Sequence, residues 1–211
     1  RVVNPLTRIV FLANPNNPTG TFLDREEINF LAHELDKQKV LLVLDYAYWE
    51  FVTDKSIPDP IEMYNTHPNV IVLKTFSKIY GLAGLRVGYM VARKEIAKTI
   101  DKSRQPFNIS SLGLDASVAA LGDDEFVKKS NSENIKSMRE LMLGLKKYNV
   151  DVYPKTENED MIPQTNFLLV DFKKPTKDLY TEFLKRGVII RPLANYGMPT
   201  FFRITAGLKS E

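Results

Sequence analysis

Cysteine is absent from the sequence, histidine occurs only twice and tryptophan once. Without cysteine there is no disulfide framework, no thiolate metal site and no thiol nucleophile, and the chain fits a reducing, cytoplasmic setting. His33 and His67 stand far apart in sequence, and neither has a second histidine near it, so neither a metal centre nor a histidine-based triad is expected. No apolar run approaches the ~20 residues of a membrane span, and the opening Arg1-Val-Val-Asn-Pro lacks the apolar core of a signal peptide. Charge of one sign is also missing. The 29 basic and 26 acidic residues are spread along the chain and leave a net charge of +3, with no basic block suited to nucleic acid or an anionic membrane. A small anionic substrate stays compatible with that balance. At 211 residues the chain is long enough to bury roughly 70% of its unfolded surface, so a core can stabilise it without staples.

Short apolar runs are what the sequence does have. Arg8–Ala13, Val40–Leu44 and Val70–Leu73 read as strands buried on both faces of a parallel sheet, and Val87–Ala92 as a fourth. Between the first two, Asp24 and Glu27 form a capping-box pattern, and Ile28, Leu31, Ala32 and Leu35 recur at helical spacing, which predicts a helix from about Asp24 to Asp36. Further helices are expected over Glu95–Arg104, Ser111–Leu121 and a long stretch from Asp123 to about Tyr148. Beyond it, strands at Phe167–Phe172, Val188–Arg191 and Phe201–Thr205 with a helix near Thr176–Arg186 predict a smaller α+β domain. The expected organisation is therefore α/β: a doubly wound, mostly parallel sheet over 1–120, then an interdomain helix and small domain over 121–211.

The third strand leads into Thr75-Phe-Ser-Lys78-Ile-Tyr-Gly-Leu-Ala-Gly-Leu-Arg86-Val-Gly88. A lysine is seldom placed among buried and glycine-rich segments for packing, because its charged form is costly to desolvate; the neutral amine is a nucleophile and Schiff-base former. Thr75, Ser77 and Arg86 add two hydroxyls and a forked cation, a set suited to phosphate. A carbonyl-bonding lysine beside a phosphate cradle points to pyridoxal 5'-phosphate (PLP). Asp45, at the carboxyl end of the second strand, stands where open α/β sheets meet their ligands.

Two upstream stretches extend the pattern: Asn14-Pro-Asn-Asn17-Pro18-Thr19-Gly20 and Asp45-Tyr-Ala-Tyr48-Trp-Glu-Phe51. With Arg191-Pro192, Tyr196-Gly197 and Phe202-Arg203-Ile-Thr-Ala-Gly207 downstream, the ordered series resembles the fold-type I PLP-dependent aminotransferases over essentially the whole chain. Within them it most resembles the histidinol-phosphate aminotransferase family. The resemblance implies that Lys78 bonds the cofactor and then acts as general base, that Asp45 pairs with the ring nitrogen, and that Asn17 and Tyr48 donate to the ring oxygen. It implies Thr75, Ser77 and Arg86 at the cofactor phosphate, and Arg191 and Arg203 at the substrate anion. The implied reaction passes an amino group between histidinol phosphate and 2-oxoglutarate, giving imidazole acetol phosphate and glutamate, in a homodimer. The family has a long portion before the NPNNPTG stretch and a closing helix after the last strand, so the sequence is expected to be part of a longer enzyme. Aromatic-amino-acid aminotransferases and phosphothreonine-type decarboxylases share the cofactor motifs and are the alternatives. A binding module that merely retains the fold is the non-enzyme alternative.

Overall fold

The computed structural model describes residues 3–155 and 163–208. They fold as two compact units, one of residues 3–15 and 22–128, the other of 16–21, 129–155 and 163–208.

In the first unit, strands β1 (Ile9–Ala13), β2 (Leu41–Asp45), β3 (Val70–Thr75) and β4 (Gly88–Val91) form one sheet in that order. β1, β2 and β3 are parallel, and β4 runs antiparallel to β3. Helix α1 (Arg25–Lys37) crosses from β1 to β2, and α2 (Pro60–Thr66) lies between β2 and β3. The Asp24–Glu27 capping box is formed on both sides, as the sequence pattern predicts. Ile28, Ala32 and Leu35 of α1 pack on Leu42 and Leu44 of β2 and on Val70 and Val72 of β3, a core buried to the last few per cent. Full burial of each isoleucine, leucine or valine side chain among these stabilises the fold by roughly 1.5–3 kcal/mol before chain entropy is set against it.

Two expectations about this sheet need correction. β1 is not buried on both faces: Ile9 and Phe11 are exposed, Phe11 by 72%, because β1 lies at the edge of the sheet and its outward residues meet no covering element among the described residues. The fourth strand is half exposed and reversed in direction. The connection through residues 76–87 is a loop with one 3-10 turn and no crossover helix to carry the chain back to the start of β3, so the chain returns alongside β3 in the opposite direction. Gly88 is needed where the strands meet, since a Cβ there would stand 2.8 Å from the Lys74 carbonyl oxygen. Helices α3 (Lys94–Ser103) and α4 (Ser111–Leu121) follow as expected, and α5 (Asp124–Lys146) is the predicted long helix.

The second unit holds β5 (Asp151–Tyr153), β6 (Phe167–Asp171), α6 (Thr176–Lys185), β7 (Arg191–Pro192) and β8 (Phe201–Thr205). The strands form an antiparallel sheet in the order β5-β6-β8-β7. Its core joins Met138 of α5 to Leu168, Val170, Ile190 and Phe202. The strand expected over Val188–Arg191 shrinks to Arg191–Pro192. Val188 and Ile189 are exposed, Ile189 by 80%, and of that apolar run Ile190 enters the core. β5 is an addition, three residues being too few for a visible alternation.

Candidate active site

The three parallel strands end together. Ala13 of β1 is in register with Asp45 of β2, and Asp45 with Leu73 of β3, so the carboxyl ends of β2 and β3 open on the same side of the sheet. Asp45 is half-buried there, and its Oδ1 accepts from the Ala47 amide at 3.0 Å, which turns the chain sharply after the strand. That turn delivers Tyr48 into the interior, 6% exposed, with its ring 6.5 Å from Phe51. Tyr46, on the other side of the turn, is fully buried; its hydroxyl donates to the Pro58 carbonyl, and burial holds its pKa well above the ordinary tyrosine value.

β3 ends on Thr75, whose Oγ1 accepts from the Ser77 amide at 3.0 Å and reaches the Val87 carbonyl at 3.5 Å. The loop that follows carries Lys78, half-buried, with its Nζ 5.2 Å from the centre of the Tyr48 ring. An ammonium at that distance is attracted to the ring face by about 0.5–2 kcal/mol, and the contact fixes where the amine points. Arg86 closes the loop in a left-handed conformation, φ 57°, ψ 42°, which a non-glycine residue adopts only when its surroundings hold it there. Its Nη1 donates to the Ala83 carbonyl at 3.0 Å and lies 3.5 Å from Ser77 Oγ. Lys78 and Tyr48 are thus brought together, as are Ser77 and Arg86. The Thr75 hydroxyl is engaged with the backbone of its own loop.

In the second unit the Asn16–Gly20 part of the NPNNPTG stretch is tied by Asn16 Nδ2 donating to Thr19 Oγ1 and by the Gly20 amide donating to the Asn16 carbonyl. Asn17 Oδ1 accepts from Arg203 Nη1 at 2.8 Å. Arg203 lies over the Phe167 ring, 5.3 Å from its centre, and its Nε is buried with no hydrogen-bond partner. Arg191 is exposed and directly opposite Arg203 in the β7–β8 register, which sets both residues on one face of the sheet. A buried guanidinium N–H without an acceptor is costly, and an anion is the group that relieves it.

Sequence reasoning missed a charged group beneath the first cluster. Glu50 and Lys74 form an ion pair with side chains only 9% and 8% exposed, and Lys74 Nζ stands 5.9 Å from the centre of the Trp49 ring. The Tyr80 hydroxyl also hydrogen-bonds Glu50, and burial together with that carboxylate pushes its pKa up to about 12. A signal was present: Lys74 interrupts an otherwise apolar strand, and Glu50 sits inside an aromatic cluster. Charges in such places are buried only when paired.

A parallel-rich sheet whose strand ends gather an acid, a phenol and a half-buried amine is the frame of a transferase of fold-type I, and the chain belongs to the aminotransferase class I and II family, which it matches over residues 2–211. It is 43% identical over 206 residues to histidinol-phosphate aminotransferase 2 of Haemophilus influenzae, a match covering 97% of this chain and 54% of the relative. Among solved structures it is similar to histidinol-phosphate aminotransferase from Sinorhizobium meliloti in complex with pyridoxal-5'-phosphate, with a TM-score of 0.83 at 32% identity, covering 96% of this chain and 53% of that one. L-threonine-O-3-phosphate decarboxylase from Porphyromonas gingivalis is also similar, with a TM-score of 0.80 at 26% identity over 96% of this chain and 60% of that one. The chain spans about half the length of the curated relatives it matches.

Proposed function

We propose that the protein containing this chain is a PLP-dependent aminotransferase that passes an amino group between histidinol phosphate and 2-oxoglutarate, giving imidazole acetol phosphate and glutamate in L-histidine biosynthesis. The observation that carries this reading is the Lys78 amine, half-buried and held over the Tyr48 ring beyond the strand end that carries Thr75. The names of the relatives at about 40% identity support the substrate. The donor set fits the cofactor: an amine for its carbonyl, an acid for its ring nitrogen, a phenol for its ring oxygen, and a hydroxyl beside an arginine for its phosphate.

PLP, when bound, supplies an electron sink that stabilises negative charge at the substrate Cα. Lys78 would bond the cofactor carbonyl and, once displaced by substrate, move the proton at Cα. The Asp45 carboxylate would keep the ring nitrogen protonated by its adjacent negative charge. Tyr48 and the amide NH₂ of Asn17 would donate to the ring oxygen, and Ser77 and Arg86, with Thr75, would take the phosphate. Arg203 would grip the anion that every substrate presents. Arg191 would add a second guanidinium for the dianionic ester of histidinol phosphate. In this reading residues 1–120 belong to the cofactor-binding large domain and 121–211 to the small domain of a cytoplasmic homodimer that binds neither nucleic acid nor membrane.

The test is a half-reaction. With glutamate alone the full-length protein is expected to convert its cofactor to the pyridoxamine form and release one equivalent of 2-oxoglutarate, with no CO₂. The likeness to the phosphothreonine decarboxylase gives the second reading, and CO₂ release from O-phosphothreonine would put it first.

A further inference from the structure

Glu50, Lys74 and Tyr80 belong to three segments, and each segment carries a residue of the candidate site. Glu50 lies in the 3-10 turn Trp49–Phe51, two residues after Tyr48. Lys74 immediately precedes Thr75 at the end of β3, and Tyr80 follows Lys78 by two residues. One carboxylate receives both the Lys74 ammonium and the Tyr80 hydroxyl. Aromatic rings close the cluster: Tyr80 packs 5.2 Å from Phe76, Phe76 packs 5.7 Å from Tyr89, and Lys74 stands over Trp49. None of these groups is a candidate for touching cofactor or substrate.

We propose that Glu50 is a positioning residue: through Lys74 and Tyr80 it ties the Tyr48 turn, the end of β3 and the Lys78 loop into one arrangement, so that the amine and the phenol of the site keep their spacing. The physical case is that the pair does little else. Two charges at this depth lose most of their hydration, and their attraction seldom exceeds what a well-packed apolar pair would give. In agreement, burial lowers the Lys74 pKa in spite of the opposing carboxylate. What an ion pair offers over an apolar contact is direction. Lys74 has one carboxylate to meet, and a slip of either segment leaves a buried charge alone. The site gains from that, because an ångström of misplacement between reacting groups is costly.

The inference rests on the PLP reading, and its test keeps the two separate. Full-length apo-protein is titrated with PLP, and its thermal midpoint is measured, for the wild type and for the double variant Glu50→Leu/Lys74→Met. The double variant is expected to match or exceed the wild-type thermal midpoint while binding PLP at least about tenfold more weakly. Wild-type PLP affinity in a stable double variant would overturn the positioning role and leave the PLP reading standing. Should the double variant not fold, Tyr80→Phe decides, since it removes only a hydroxyl: an affinity loss of about threefold or more at an unchanged midpoint is expected, and unchanged affinity overturns the proposal. A wild-type protein that does not bind PLP overturns the proposed function, and this inference with it.

Discussion

The surroundings of Lys78 and of Arg203 handle charge in opposite ways. Around Lys78 the charged and polar groups are matched: Glu50 meets Lys74 and Tyr80, Arg86 meets Ala83 and Ser77, Asp45 meets the Ala47 amide, and Lys78 lies over Tyr48. Around Arg203 one guanidinium edge is satisfied by Asn17, and the Nε is buried without a partner. A matched cluster holds a fixed geometry, which chemistry at one lysine requires. An unmatched buried donor is poised for a ligand that brings the missing acceptor. On the proposed function, the first region would keep its groups in place and the second would receive an anion.

Substitutions can break each half of that contrast. The largest effect is expected at Lys78: Lys78→Ala in the full-length protein should abolish transamination while circular dichroism stays that of the wild type. Next comes Arg203→Ala, which should lower kcat/KM about tenfold or more for both glutamate and histidinol phosphate, since a hydrogen bond to a charged group contributes roughly 1.5–3 kcal/mol. A loss confined to one substrate would show that Arg203 is not the shared anion site. Arg191→Ala, exposed and farther from enclosure, should act selectively, reducing turnover of histidinol phosphate relative to phenylalanine. An unchanged ratio would favour an aromatic aminotransferase. The smallest effect concerns stability in alkali. Tyr46 is held neutral by burial, so its folded pKa lies above its unfolded one; its stabilisation is complete below about pH 10 and declines as the unfolded chain ionises above that. Tyr46→Phe should therefore flatten the fall in stability above pH 10 in denaturant titrations.

Much of this was legible because it is local. The Asp24–Glu27 capping box, the limits of the helix Ser111–Leu121 and the strand leading to Lys78 each depend on residues a few positions apart. Direction and exposure were not. An apolar strand reads the same whether a neighbour covers it or not, so Phe11 looked buried and is not; the antiparallel β4 follows a connection that lacks a crossover helix. The Arg203–Asn17 bond joins residues 186 positions apart, and no spacing rule reaches that far. Glu50 lies in the Asp45–Phe51 stretch and Lys74 just before Thr75, yet their pairing requires knowing that the Tyr48 turn folds back onto β3.

The central claim is that the amine above Tyr48 is the one that bonds the cofactor. Borohydride reduction of the PLP-loaded full-length protein, followed by digestion and peptide mass analysis, tests it directly. The account predicts a single phosphopyridoxyl modification on the peptide containing Lys78, and modification of any other lysine in its place, or of none, would contradict it.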